Sequence, residues 1–118
     1  MAEQKTYELY EKLFNEGRID ERRIFTFVTA KRLPGGGYGM VGLGFNKDKL
    51  VVIDVTSVKL SSIELGETLY EIPINEIEDM KGSYFVFYPY LKFNWQGGKF
   101  YFTALGYKSG ILEVLKTA

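Results

Sequence analysis

The chain contains no cysteine and no histidine in 118 residues. Without cysteine it has no disulfide, no thiolate metal site and no thiol nucleophile. Without histidine it lacks the usual general base at neutral pH, and a Ser-His-Asp triad is impossible. No G-x-S-x-G elbow occurs. No apolar run approaches the ~18 residues that a membrane-spanning helix needs. The start, "MAEQKTYELYEK", lacks the apolar centre of a secretory signal. Net charge is missing too, because 15 basic residues face 15 acidic ones. A dedicated duplex nucleic-acid binder is normally basic. These absences predict a cytoplasmic protein that is not an enzyme and takes no cofactor, nucleotide or nucleic acid.

What the chain has is rings. Nine Tyr, nine Phe and one Trp make up 16% of it, which favours strands. The length fits one domain, 1–118. Residues 1–17 read as a helix: Tyr7, Leu9, Tyr10, Leu13 and Phe14 recur at three- and four-residue steps, and Gly17 is a natural stop. From residue 22 to 106 the period is two. Phe25 and Phe27 alternate with Thr26, and Val41, Leu43 and Phe45 with Gly42 and Gly44. Leu50 to Val55 forms a continuous buried run. Val58 and Leu60 come next, then Ile63 and Leu65, then Tyr70, Ile72 and Ile74. Tyr84 to Tyr88 reads as a strand that breaks at Pro89. Leu91, Phe93 and Trp95 lead into a hairpin at Gln96 to Gly98, with Phe100 and Phe102 beyond it. The sum is about seven strands, as a small barrel or sandwich requires. Residues 109–118 return to helical period, with Ser109 as N-cap and Ile111, Leu112, Val114 and Leu115 on one face.

Gly37 to Gly42 spells G-x-G-x-x-G, a phosphate-cradling pattern. That chemistry needs a helix to open at the last glycine. The residues after Gly42, "LGFNKDKLVVIDV", have strand period instead. The expectation is a hairpin at Pro34 to Gly37 and then a strand whose Gly42 and Gly44 let a neighbour approach closely. In "YPYLKFNWQGGKFYF" rings interleave with Lys92 and Lys99. Single-stranded nucleic-acid binders use such rings as stacking platforms, but a small β domain needs them for its core, which is the reading adopted. Glu76, Glu78 and Asp79 form the densest acidic stretch and match no calcium loop. They read as solvated surface.

Charge is unevenly spread. Seven basic residues between Arg18 and Lys49 face three acids, whereas Leu60 to Met80 holds six acids and no base. Pairing across the fold is one consequence to expect. The other is a basic cluster: Lys31 and Arg32 flank the glycine hairpin, and Lys47 and Lys49 sit in the next turn but one. If both turns open at one end of a barrel, these four cations ring one mouth and suit an anionic head group or an acidic partner.

"GLGFNKDKLVVIDV" is similar to a strand–turn–strand segment of the pleckstrin-homology superfold in its bacterial PH-like and GRAM-like versions. Thr-Asp-Lys-Arg-Leu is common there, and Asn46-Lys47-Asp48-Lys49-Leu50 stands in its place. "YEIPINEIEDMK" resembles the family's Ile-Pro-Leu-x-x-Ile segment through Ile72-Pro73-Ile74 and Ile77. "LKFNWQGGKFYFTAL" fits its late hairpin and "SGILEVL" its capping helix. The likeness covers roughly residues 22–118 and leaves out the first helix. It implies a mainly β (α+β) fold: a small barrel of about seven antiparallel strands capped by a C-terminal helix. It implies lipid-head-group binding, peptide binding or assembly as candidate functions. Lys31 and Arg32 fall near the family's basic first hairpin, without its full lysine-x-arginine spacing. The chain thus supports three readings: a non-catalytic module that binds a protein partner or forms a homo-oligomer; a peripheral module for an anionic lipid surface, using Lys31, Arg32, Lys47 and Lys49; and a small-ligand barrel with a cavity among its Phe and Tyr side chains.

Overall fold

In a computed structural model, the chain runs α1 (Ala2–Asn15), β1 (Phe25–Arg32), β2 (Gly39–Asn46), β3 (Lys49–Lys59), β4 (Ser62–Pro73), a 3₁₀ turn (Ile74–Glu76), β5 (Glu78–Ser83), β6 (Tyr90–Trp95), β7 (Gly98–Thr103) and α2 (Ile111–Thr117). The structure describes residues 2–36, 39–59, 62–85, 87–106 and 109–117, with side chains of the first helix from Glu8 onward and without that of Ser62. The expectations that fall on Met1, Gly37, Tyr38, Leu60, Val86, Ala118 and the Tyr7 side chain lie outside the described residues.

The seven strands form one antiparallel sheet in the order β4-β3-β2-β1-β7-β6-β5. Tyr70 on β4 and Phe100 on β7 are four strands apart, or ~19 Å across a flat sheet. Their ring centroids lie 5.0 Å from each other. The sheet therefore bends back on itself around an interior. Val28, Leu43, Leu50, Phe93 and Phe102 fill that interior together with Ile111, Leu112 and Leu115 of α2. A second cluster lies on the outer face, where Leu13 of α1 and Ile19 cover Phe25, Val51 and Ile53. This double cover explains why Leu50 to Ile53 is apolar at every position: alternate side chains face the interior and α1.

Local chemistry sets the element ends. Gly17 takes φ 73° after α1. Its N–H donates to Phe14 O at 3.0 Å, and that of Arg18 donates to Leu13 O at 2.9 Å. This is a Schellman close. The β6–β7 hairpin turns on Gln96 (φ 51°) and Gly97 (φ 77°), the twist that a two-residue hairpin favours. Gly42 and Gly44 pack as expected. A Cβ on Gly42 would fall inside the Phe25 ring, and one on Gly44 would lie 2.7 Å from Ile24 O.

Three expectations are corrected. Tyr84 to Tyr88 is no strand; among the described residues it forms the β5–β6 loop, and β5 is Glu78–Ser83. Ring content predicts a strand there, but pairing with β6 selects the less strand-prone "EDMKGS". The segments from Leu50 to Ile72 belong, among the described residues, to two long strands, β3 and β4, with Ile74 opening the 3₁₀ turn, and the apparent breaks in period are shifts of register between Val52 and Ser57. Ser109 is a weak cap, since its Oγ accepts from Ile111 N–H at 3.4 Å. Gly110 O accepts the first helical bond, from Val114 N–H at 3.2 Å. The Leu112 N–H instead donates to the Tyr84 hydroxyl at 2.9 Å, which donates in turn to Glu113 Oε2 at 2.7 Å.

Candidate functional site

The four cations singled out by the sequence do not ring one mouth. Ala30 pairs with Gly39 and Asn46 with Lys49, so the two turns lie at opposite ends of β2. An eight-residue strand sets them ~25 Å apart. Consecutive turns of an antiparallel meander always alternate ends, which rules out the single mouth. Lys31 is the unpaired extra residue where the β1–β7 register shifts, and Arg32 pairs with Tyr101. Lys49 opens β3 opposite Pro73. Lys47 takes φ 60° in the β2–β3 turn. Its N–H donates to Asp20 Oδ2 at 2.7 Å and its carbonyl accepts from Arg22 Nη2 at 2.7 Å.

Asp20 is the anchor of that turn. It is only 6% exposed and also accepts from Arg22 N–H at 2.9 Å and Arg22 Nη2 at 2.6 Å. Burial alone would raise its pKa. The Arg22 guanidinium and the backbone N–H groups of Arg22 and Lys47 outweigh burial and hold the carboxyl below its usual range. Arg23 pairs with Glu11, and Arg18 Nη1 lies 3.8 Å from Glu16 Oε1. Three arginines of the basic half, Arg18, Arg22 and Arg23, thus pair with Glu16, Asp20 and Glu11. Lys31, Arg32, Lys47 and Lys49 are exposed and, among the described residues, form no ion pair.

The fold assembles a different cluster on the outer face of β5, β6, β7 and β1. Leu91, Phe93, Phe100 and Phe102 point inward, which turns Tyr90, Lys92, Lys99 and Tyr101 outward. Register aligns Lys81, Lys92, Tyr101 and Arg32 in one row across four strands. Lys92 Nζ lies 4.5 Å from the Tyr101 ring centroid and 5.7 Å from that of Tyr90. Two residues nearer the β5–β6 loop, Ser83, Tyr90, Thr103 and Thr29 form a second row. The Tyr88 and Tyr90 rings are 5.5 Å apart. In the loop, Phe85 is 60% exposed, Phe87 85% and Tyr88 50%. Tyr88 N–H closes the loop onto Phe85 O at 2.8 Å. Phe85 N–H donates to Ser83 Oγ at 3.1 Å.

Two features of this surface do not serve the packing of the fold. Phe85 and Phe87 pack only edge-on against each other, with ring centroids 5.7 Å apart, and otherwise present their rings to water. Lys81 and Lys92 stand directly opposite each other, a like-charge pair that destabilises a sheet. The sequence reading placed Lys92 and Lys99 among core rings and missed Lys81, Phe85 and Phe87. The signal was present as Tyr-x-Tyr-x-Lys over Tyr88 to Lys92, where period two sends all three to one side.

The acidic stretch is used locally. Glu76 Oε1 accepts from Trp95 Nε1–H at 3.0 Å, and Asp79 Oδ2 from Asn94 Nδ2–H at 3.1 Å. Among the described residues no three carboxylates are placed to hold a metal. A groove of about 450 Å³ lies between α1 and the β3–β4 hairpin, lined by Leu9, Lys12, Arg18, Thr56 and Glu64 among others. It lies outside the ring-packed interior. No helix among the described residues is long and apolar enough to cross a membrane. Comparison of the chain with family models, with curated proteins and with solved structures gave no match.

Proposed function

We propose that the chain is a non-catalytic docking module of the pleckstrin-homology-like type. Its sheet closes into a small barrel with α2 at one opening. The strand order, the 5.0 Å contact between Tyr70 and Phe100, and the burial of α2 in the interior all support that architecture. The observation that carries the function is the exposed ring cluster of Phe85, Phe87 and Tyr88 beside cations that lack ion pairs among the described residues. The other two readings draw less support. Docking through Lys31, Arg32, Lys47 and Lys49 together needs the single mouth that the register separates. A ligand cavity among the rings competes with their packing, since Phe93 and Phe100 stack at 4.8 Å and Phe93 meets Phe102 at 6.2 Å.

A photo-crosslinking residue in place of Phe87 tests the module reading in the cells that make the protein. A matched probe at Gln96, at the far end of β6, is the control. The module reading expects adducts from position 87 and none from position 96. Equal yields at both, or none at either, would contradict it.

A further inference from the structure

We infer that the occupant of this face is a single-stranded nucleic acid, with phosphates along Lys81, Lys92 and Arg32 and bases stacked on Tyr90, Tyr88 and the loop phenylalanines. This rests on the docking-module reading and names its partner. Strand period divides the rings between Tyr88 and Phe102. Phe93, Phe100 and Phe102 fill the core, as a small β domain needs. Tyr88, Tyr90 and Tyr101 stay outside it. Cations lie among these outer rings. Lys92 Nζ stands between two of them, 5.7 Å from the Tyr90 centroid and 4.5 Å from that of Tyr101. Tyr88 continues the series 5.5 Å from Tyr90. At the tip the Phe85 and Phe87 rings meet at 66°, so neither lies flat on the other and ring faces stay open.

Nucleic acid carries an anion and a flat ring in every residue, and this face complements both. Every base has a π-face, so stacking on exposed aromatic side chains tolerates any sequence. The row of Lys81, Lys92 and Arg32 crosses the sheet from β5 to β1. Three strand spacings make it ~14 Å long, the run of about four stacked nucleotides at ~3.4 Å each. The ring of Tyr90 lies two residues, ~7 Å, nearer the loop. A phosphodiester chain on the cations therefore reaches the rings with its bases. A duplex turns its base faces against one another, so the rings select single strands.

The expectation of no nucleic-acid partner followed from the zero net charge of the whole chain, which sets no charge for one face. Among the described residues Lys81, Lys92, Lys99 and Arg32 form no ion pair. The acids of the face, Glu78 and Asp79, lie at the end away from the loop. There Asn94 pairs with Glu78 on one side and Lys99 on the other, and Asp79 Oδ2 accepts from Asn94 Nδ2–H at 3.1 Å. The Glu113 carboxylate accepts from the Tyr84 hydroxyl.

The test is fluorescence anisotropy with labelled oligothymidine of about 12 nucleotides, within the ~4–16 that one small barrel covers, and with a duplex of equal length. Three phosphate contacts at ~0.7 each give a slope of about −2 for log K against log salt. The expected result is binding to the single strand with that slope, and binding to the duplex weaker by roughly tenfold or more. Lys81→Gln and Lys92→Gln each weaken binding roughly fivefold at about 0.1 M salt and reduce the slope by about 0.7. Phe87→Ser, at a site 85% exposed and therefore harmless to folding, and Tyr88→Ser each weaken it roughly tenfold and leave the slope unchanged. Lys59→Gln on the β3–β4 hairpin, an equal loss of charge, changes neither. In Phe87→Trp the added indole emission is quenched by the stacked base. Equal affinity for the duplex, a slope near zero, or no effect of either ring variant overturns the inference. So does a preference for polyglutamate or for phosphatidylglycerol vesicles over the oligonucleotide, which would make the occupant an acidic protein segment or a lipid surface. So does a ligand-free dimer, seen by light scattering, that Phe87→Ser dissolves. Nuclease treatment of the crosslinked adducts separates the two levels. Adducts at position 87 that shrink under nuclease support the inference. Adducts that resist nuclease, with no oligonucleotide binding, overturn it and leave the module standing, whereas neither adducts nor binding removes both.

Discussion

At the scale of single residues, close approach and buried charge give the sharpest tests. Gly42 lies under the Phe25 ring, which α1 covers from outside. Phe25 has no room to move, so Gly42→Ala is expected to cost about 2–3 kcal/mol by overpacking. Gly82 also faces a close neighbour, but that is the Leu112 Cδ2 methyl at 2.7 Å, the end of a flexible side chain. Gly82→Ala should cost about 1 kcal/mol. Urea midpoints of the two variants would reverse this order if the ring were mobile. Asp20 sits beneath the β2–β3 turn with its pKa held below the ordinary aspartate value. A carboxyl with a depressed folded pKa contributes stability above its unfolded value of ~3.9 and loses it as pH falls through the folded value. Arg22 is partly in water, so Asp20→Asn is expected to lower stability by about 2 kcal/mol at neutral pH, the range for hydrogen bonds to a charged group, and the gap to the native chain should close as pH falls below about 4. Denaturant midpoints measured down that range check both the size and the direction.

At the scale of elements, what the sequence disclosed and what it hid divide by range of contact. Features set within a few residues were legible: the stop at Gly17, the Gln96–Gly97 turn, the doubly buried run from Leu50 and the strand in place of a phosphate-binding helix after Gly42. Features set across the chain were not. The β5 strand borrows its order from β6, the Phe85–Tyr88 loop has the composition of a strand, and α2 is capped by a phenol from 28 residues away. The destination of α1 was also hidden, because an amphipathic stripe does not name its partner. The structure seats Leu13, 1% exposed, on the chain's own β1 and β3. The cap gives an element-level prediction. Tyr84→Phe keeps the ring and removes the oxygen that receives the Leu112 N–H. The loss should be about 1 kcal/mol, read as faster amide exchange confined to the first turn of α2. Unchanged exchange there would show that Ser109 and Gly110 suffice.

At the scale of the whole molecule, a net charge of zero conceals an arrangement in space. Arg18, Arg22 and Arg23 are tied to acids, while Glu64, Glu67 and Glu71 line the exposed edge strand β4, where charge discourages pairing with another chain. The β5 edge is blunted by its shift of register between Glu78 and Lys81. Lys81, Lys92 and Arg32 remain, aligned by register beside a loop that presents its rings to solvent. The sequence pointed to basic residues as the working surface but grouped them by nearness in the chain, whereas sheet register is what brings cations together. The most direct test of this face is photo-crosslinking from position 87, with position 96 as the control. The account predicts adducts from position 87 and none from position 96. Equal yields at both positions, or none at either, would contradict it.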